Sequence, residues 1–314
     1  MHLIPILSVL WLLIVNAPSS TAQQYDSSSN PSPQSLGSVW SGWGGNIYNN
    51  RWASTNSALN SSNAVSFTQK CHFNYSLGVS ATPTVNGEIV YFPTWSGQLI
   101  ALNYKTCKVQ WTVNVTNIIH EYAPVTDLQN KVLQVASRSS PQIDGNTLYF
   151  TTLVHALLVA VNLSTGAKLA VIQINPHPVA ILTQSPTVYN HRIFIGASSF
   201  EESAIDIIPN YPCCSFLGNM AAIDFNRNKS QFSVAWNVSM LPANMGWSGA
   251  AIWGSQPSID MARSQVFIGT GNVYTLPPAY EECQNQTANI SVIASGNVPS
   301  TCQPSDVYQG ERSS

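Results

Sequence analysis

One pattern constrains this chain more than any other: a small-polar-Pro start, an alternating strand, a tight turn and a second strand, repeated four times. Ala-Thr-Pro-Thr-Val-Asn-Gly-Glu-Ile-Val-Tyr-Phe (81–92) is echoed by Ser-Pro-Gln-Ile-Asp-Gly-Asn-Thr-Leu-Tyr-Phe (140–150), Ser-Pro-Thr-Val-Tyr-Asn-His-Arg-Ile-Phe-Ile (185–195) and Gln-Pro-Ser-Ile-Asp-Met-Ala-Arg-Ser-Gln-Val-Phe-Ile (256–268). A second recurrence follows the first three copies, at 99–111, 158–169 and 220–225, the first ending on Trp111 and the third leading to Trp236. Period-two alternation broken by Asn-Gly or Asp-Gly predicts antiparallel meanders. A unit of roughly 45–70 residues with about four short strands predicts an all-β fold of β-propeller type. A β-sandwich is the competing reading, but it does not require every copy to begin and end alike. Trp111 and Trp236 are expected to dock between neighbouring blades, where they bury large aromatic area.

The ends read differently from the middle. Leu3 to Val15 is apolar apart from Pro5 and Ser8 and is followed by Ser20-Thr21-Ala22. This predicts a signal peptide over 1–22, too short for the ~20 residues of a membrane helix. Residues 23–37 are rich in Ser, Gln, Asn and Pro and are expected to be a disordered linker; the propeller occupies 38–314. No later segment is long and apolar enough to span a membrane. The chain is expected to be secreted, to the extracellular space or cell wall.

Only 8% of residues are charged and the net charge is −2, which leaves no basic stripe for nucleic acid. Asn-x-Ser/Thr sequons at Asn60, Asn74, Asn114, Asn162, Asn228, Asn237, Asn285 and Asn289 point to glycans as a source of solubility. Six cysteines in a secreted chain favour disulfides. Proximity suggests Cys71–Cys107, Cys213–Cys214 and Cys283–Cys302, among the ~15 pairings that six cysteines allow.

Cys213 and Cys214 are adjacent, so their α-carbons are held at ~3.8 Å, or ~2.9 Å across a cis peptide, instead of the usual ~4.4–6.8 Å of a bridged pair. Bridged, they form a small, hard, polarizable surface suited to pressing on a flat ligand; unbridged, they are two core residues. The histidines at 72, 120, 155, 177 and 191 are scattered without ligand spacing. No nucleotide loop, Walker sequence, nucleophile elbow or zinc helix is present.

Several motifs together carry a family resemblance: Trp43-Gly44-Gly45-Asn46 with Asn50-Arg51-Trp52, the Ala-Thr-Pro start, Phe92-Pro93-Thr94-Trp95-Ser96-Gly97, the Cys-Cys pair, Ser248 to Gly254, and Thr270-Gly271-Asn272. From about Val39 onward the chain resembles the pyrroloquinoline-quinone (PQQ) dehydrogenases, and most of all the polyvinyl-alcohol dehydrogenase-like branch with its secreted plant members. The resemblance implies an eight-bladed quinoprotein propeller holding PQQ and calcium on its axis, oxidising an alcohol, polymeric or polyol substrates included, and passing electrons to an external acceptor.

Carried over residue by residue, it implies Glu201 and Asn272 as calcium ligands, with Glu202 as the neighbouring alternative. Calcium is a hard cation that takes carboxylate and amide oxygens. Trp253 is implied as the indole stacked on the quinone, with Cys213–Cys214 against the opposite face. Two departures stand out. Leu217-Gly218 occupies the place of an Arg-Gly in many relatives, and the catalytic Asp with its partner Arg belongs to later blades, beyond Ser314. The roughly 275 residues of the domain supply four to five blades at this period, so an incomplete propeller, inactive by itself, is expected. Asp206, Asp224 and Asp260 are not assigned as the base. A noncatalytic extracellular propeller binding a glycan or protein partner is the alternative reading.

Overall fold

The computed structural model describes residues 15–16, 39–51, 61–63 and 66–287, and the prolines of the repeat mark where its sheets begin. Blade 1 is the meander Thr84–Asn86, Ile89–Thr94, Gln98–Asn103 and Lys108–Asn114, with Val39–Trp40 added beside its first strand. Blade 2 runs through Gln142–Asp144, Thr147–Thr151, Leu157–Asn162 and Lys168–Gln173. Blade 3 runs through Thr187–Tyr189, Arg192–Gly196, Asn219–Asn226 and Gln231–Ser239. Ser258–Asp260 and Gln265–Phe267 open a fourth, and Val15–Asn16, inside the expected signal peptide, pairs with Gln265 and Val266. The described residues thus hold three complete blades and the start of a fourth; residues 23–37, Asn60, Asn289 and Cys302 lie outside them.

The expected turns explain the register. The first hairpin pairs Asn86 with Ile89, the second Asp144 with Thr147 and the third Tyr189 with Arg192, so each closes over two residues. Two-residue hairpins need left-handed backbone to match strand twist. Gly145 supplies it in the second, while Asn190 and His191 both adopt it in the third, at φ +50° and +61°.

The cores lie between blades. Leu157, Val159 and Val161 point toward Leu99, Ala101 and Val113 of blade 1, whereas Leu158 and Ala160 of the same strand point toward Ile193, Ile195, Ala221 and Ile223 of blade 3. A strand covered on both faces reads as a continuous apolar run, as Leu-Leu-Val-Ala-Val does here. Burying each large aliphatic side chain contributes about 1.5–3 kcal/mol. A third core joins Phe194, Met220 and Ala222 to Ile252, Ile259 and Ile268.

The Pro-Thr step of the repeat has a physical role. Thr84 Oγ1 donates to the carbonyl of Pro141 in the next blade, and Thr187 Oγ1 donates to that of Pro257 at 2.6 Å. Between blades 2 and 3 the backbone N–H of Ser140 donates to Ser185 Oγ at 2.9 Å. Each blade is therefore tied to its successor beside the proline.

The tryptophans sit between blades, as expected. The Trp111 indole N–H donates to the Leu163 carbonyl of blade 2 at 3.0 Å. Its ring covers Gly166, whose φ is +73° and where an added Cβ would lie 2.9 Å from the indole. Gly166→Ala is expected to destabilise the protein by about 1–3 kcal/mol, since the methyl group meets both a rigid ring and a left-handed backbone. An unchanged thermal midpoint would contradict this docking. Trp236 packs in the core between blades 3 and 4, its ring 6.0 Å from Phe194.

Candidate functional site

Loops from all four blades converge around Trp253. The segment Gly249–Trp253 hangs on two strand-like bonds to the Thr-Gly-Asn motif, Ala250 N–H to the Asn272 carbonyl and Gly271 N–H to the Ala251 carbonyl, both 2.7 Å. Ile252 N–H donates to the Ala197 carbonyl of blade 3 at 2.9 Å. The amino-terminal motif closes the other side: Asn49 Nδ2 donates to Ser255 Oγ and the Gln256 carbonyl, and Gly44 N–H donates to Gln256 Oε1 at 3.0 Å. Between them is a cavity of about 350 Å³ lined by Trp253 with Asn49, Gln184, Gln256 and Phe267, and by neither Cys213 nor Cys214.

Trp253 is 46% exposed, a large aromatic face offered to solvent. The Arg138 guanidinium lies 5.7 Å from its ring centroid and 5.8 Å from that of Trp95. Trp95 comes from the Thr-Trp-Ser-Gly turn of blade 1 and Arg138 from the Ser-Arg-Ser-Ser-Pro entry into blade 2. Burial lowers the Arg138 pKa from its ordinary value, and no carboxylate among the described residues pairs with it. Cation–π contacts of this kind contribute ~0.5–2 kcal/mol. Sequence reasoning missed Arg138. Its signal was available: a lone arginine ahead of a repeat proline in a chain with few charges.

Cys213 and Cys214 are joined by a disulfide across a cis peptide, their α-carbons 3.0 Å apart. The expected Cys71–Cys107 bridge is also present, with α-carbons 5.6 Å apart. The two residues after the vicinal pair are held by Glu201: Ser215 N–H donates to Oε1 at 2.8 Å and Phe216 N–H to Oε2 at 2.9 Å. His177 Nε2 stands 3.4 Å from Glu201 Oε1 and 3.1 Å from Ser215 Oγ. Glu201 is fully buried. Burial pushes its pKa up, but hydrogen bonds from His177, Ser215 and Phe216 and the His177 charge outweigh that and hold it below the usual carboxylate range. Burial and the Glu201 charge push the Tyr211 hydroxyl up to about 12.

Asn272 is brought to Glu202 rather than to a Glu201 oxygen. Its exposed carboxamide lies 3.5 Å from Glu202 Oε1. Tyr274 is raised by burial and then by the charges of Glu202 and Glu201, which places all three groups in one field. Among the described residues no group of three or more His, Cys, Asp or Glu side chains could hold a metal ion by itself. Asp224 is paired with Arg192 at 2.7 and 2.8 Å and Asp260 with Arg263 at 2.6 Å. Leu217, standing at the Arg position of relatives, packs against the core between blades 3 and 4.

The antiparallel four-stranded blades, packed face to face with loops gathered at Trp253, are those of a quinoprotein-type propeller. Solved structures of this type align over about three quarters of the chain at 17% identity: a europium-containing methanol dehydrogenase (TM-score 0.55, 43% of that chain) and a quinohemoprotein alcohol dehydrogenase from Comamonas testosteroni (TM-score 0.58, 36% of that chain). A family profile of PQQ repeats, described as outer membrane protein assembly factor BamB, matches residues 43–211. The chain belongs to that repeat family. It is 29% identical over 245 residues to a polyvinylalcohol dehydrogenase of Pseudomonas sp., and 28% over 270 residues to one of Sphingopyxis sp.. Those alignments cover 75% and 80% of this chain but only 36% and 38% of the relatives, so the chain spans less than two fifths of their length.

Proposed function

We propose that this chain contributes the cofactor-binding blades of a secreted PQQ-dependent alcohol dehydrogenase acting on alcohols that include polymeric ones, with calcium as its metal and an external electron acceptor. The observation that carries the reading is the Arg138 guanidinium between Trp95 and Trp253. PQQ is flat and carries three carboxylates. An indole face suits its rings, and a half-buried guanidinium with no anionic partner among the described residues suits its carboxylates. The similarity to two polyvinylalcohol dehydrogenases supports the substrate class.

Glu202 and Asn272 fit the metal. A carboxylate and a carboxamide side by side are two hard oxygen donors, and calcium takes 6–8 oxygens at ~2.3–2.6 Å, leaving positions for the quinone and water. The bound metal would polarise a quinone carbonyl as a Lewis acid, and the quinone would accept the electrons of the alcohol. The protein's share is placement. Trp253 and Arg138 orient the ring system, Glu202 and Asn272 fix the cation, and Glu201 secures the loop that bears the vicinal disulfide.

The test is to load the secreted protein with PQQ and calcium and follow dye reduction with small alcohols and polyvinyl alcohol. PQQ-dependent reduction is expected from a chain that includes the remaining blades. Glu202→Gln should raise the calcium concentration needed for half-maximal loading about tenfold, because one ligand charge is lost; an unaltered requirement would remove Glu202 from the site.

A further inference from the structure

We propose that Asn237 carries an N-linked oligosaccharide that sheathes the outer strand of blade 3. This rests on the secretory reading above and goes beyond it in naming the site and its purpose. The strand Gln231–Ser239 pairs on one side only, with Asn219–Asn226, so among the described residues its other edge is free. Proteins usually guard such an edge with charges, proline or a covering element. Gln-Phe-Ser-Val-Ala-Trp-Asn-Val-Ser contains no charge and no proline, and Val234 is 54% exposed.

Register places the sequon over that valine. Val234 stands opposite Ile223 and Asn237 opposite Ala221, with an irregularity at Ala235 between them. Ile223 and Ala221 both enter the core between blades 2 and 3, so Val234 and Asn237 share the same face. Asn237 is exposed, and its Oδ1 accepts a bond from Asn219 Nδ2 at 2.7 Å. Its own Nδ2, the atom a glycan is built on, has no partner among the described contacts. Asn162 differs: it is half-buried and its Oδ1 is committed to the Ser164 and Thr165 N–H groups. The outer strand of blade 2, Lys168–Gln173, has no sequon and is guarded conventionally, by Lys168 paired with Glu121.

In the transfer, Nδ2 bonds to the anomeric carbon of an oligosaccharide donated by a lipid pyrophosphate. The anomeric C–O bond breaks, the lipid pyrophosphate leaves, and the amide gives up one proton to solvent.

The experiment expresses the full chain with its amino-terminal leader in a glycosylating eukaryotic host. Asparagine glycans are released in heavy-oxygen water and the peptides mapped. Heavy-oxygen aspartate at 237 in most molecules is expected. Asn237→Gln, which leaves the other glycans in place, should increase light scattering several-fold at matched concentration, and adding Val234→Lys should restore the parent value. Secretion with Asn237 bare overturns the inference alone, as does an Asn237→Gln protein that scatters no more than the parent. Retention in the cell with every sequon bare overturns the secretory reading, and this inference with it.

Discussion

Glu201→Ala is expected to lower the free energy of unfolding by about 2–4 kcal/mol, because it strips two backbone donors, the part-buried Ser215 N–H and the buried Phe216 N–H, of their charged acceptor. The loss should appear as a lower urea midpoint with an unchanged slope. The pH dependence has a definite sign. The folded pKa of Glu201 is depressed, so its contribution is fully present above the ordinary unfolded glutamate value of 4.5 and disappears as pH falls through the lower folded value. Glu201→Gln should keep much of the packing while flattening the acid limb of the stability curve. If the acid limb of this variant matches that of the parent, the carboxylate is not what holds the disulfide loop.

Trp253→Ala should weaken PQQ binding by roughly a hundredfold, about 3 kcal/mol, combining the lost stacking preference with the loss of apolar area at the ring face. Quenching of protein fluorescence by added PQQ reads this directly, without turnover. Arg138→Lys keeps the charge but loses the planar fork, and is expected to cost about tenfold. The two side chains touch, so the double variant should lose less than the sum of the singles. PQQ affinity unchanged in Trp253→Ala would leave the fold assignment standing and remove the indole from the site.

The blades were legible in the sequence because their determinants are local. Pro141, Pro186 and Pro257 mark strand starts, Asn-Gly and Asp-Gly mark turns, and the alternation between them sets which face each residue joins. The short helices Val115–Tyr122, Asp127–Val132 and Glu201–Ile207 were less visible. A helix of six to eight residues completes about two turns, too few for a 3.6-residue period to stand out; the Thr126–Gln129 capping box is the signal that marks one of them.

The proposed site was legible in part. Resemblance led to Trp253, to Asn272 and to the Glu201–Glu202 step, but the choice between adjacent glutamates depends on helix phase. The helix over Glu201–Ile207 turns Glu201 into the protein and leaves Glu202 exposed beside Asn272. Arg138 was missed for a different reason: its two indole partners are 43 and 115 residues away in sequence, and only the stacking of blades brings them together.

The threonine-to-proline links between blades bear on how such a molecule gives way under load. Thr84 holds Pro141, Ser185 receives Ser140 and Thr187 holds Pro257, so every link joins one blade only to its neighbour. Pulled from one end, the chain first breaks the bonds of Gly44 and Asn49 to Ser255 and Gln256; the array of nearest-neighbour links then yields unit by unit, each blade releasing its hydroxyl link and its share of interface before the next bears tension. A force–extension trace would then be a sawtooth whose teeth are blades, with the spacing of the repeat prolines setting the length released at each step.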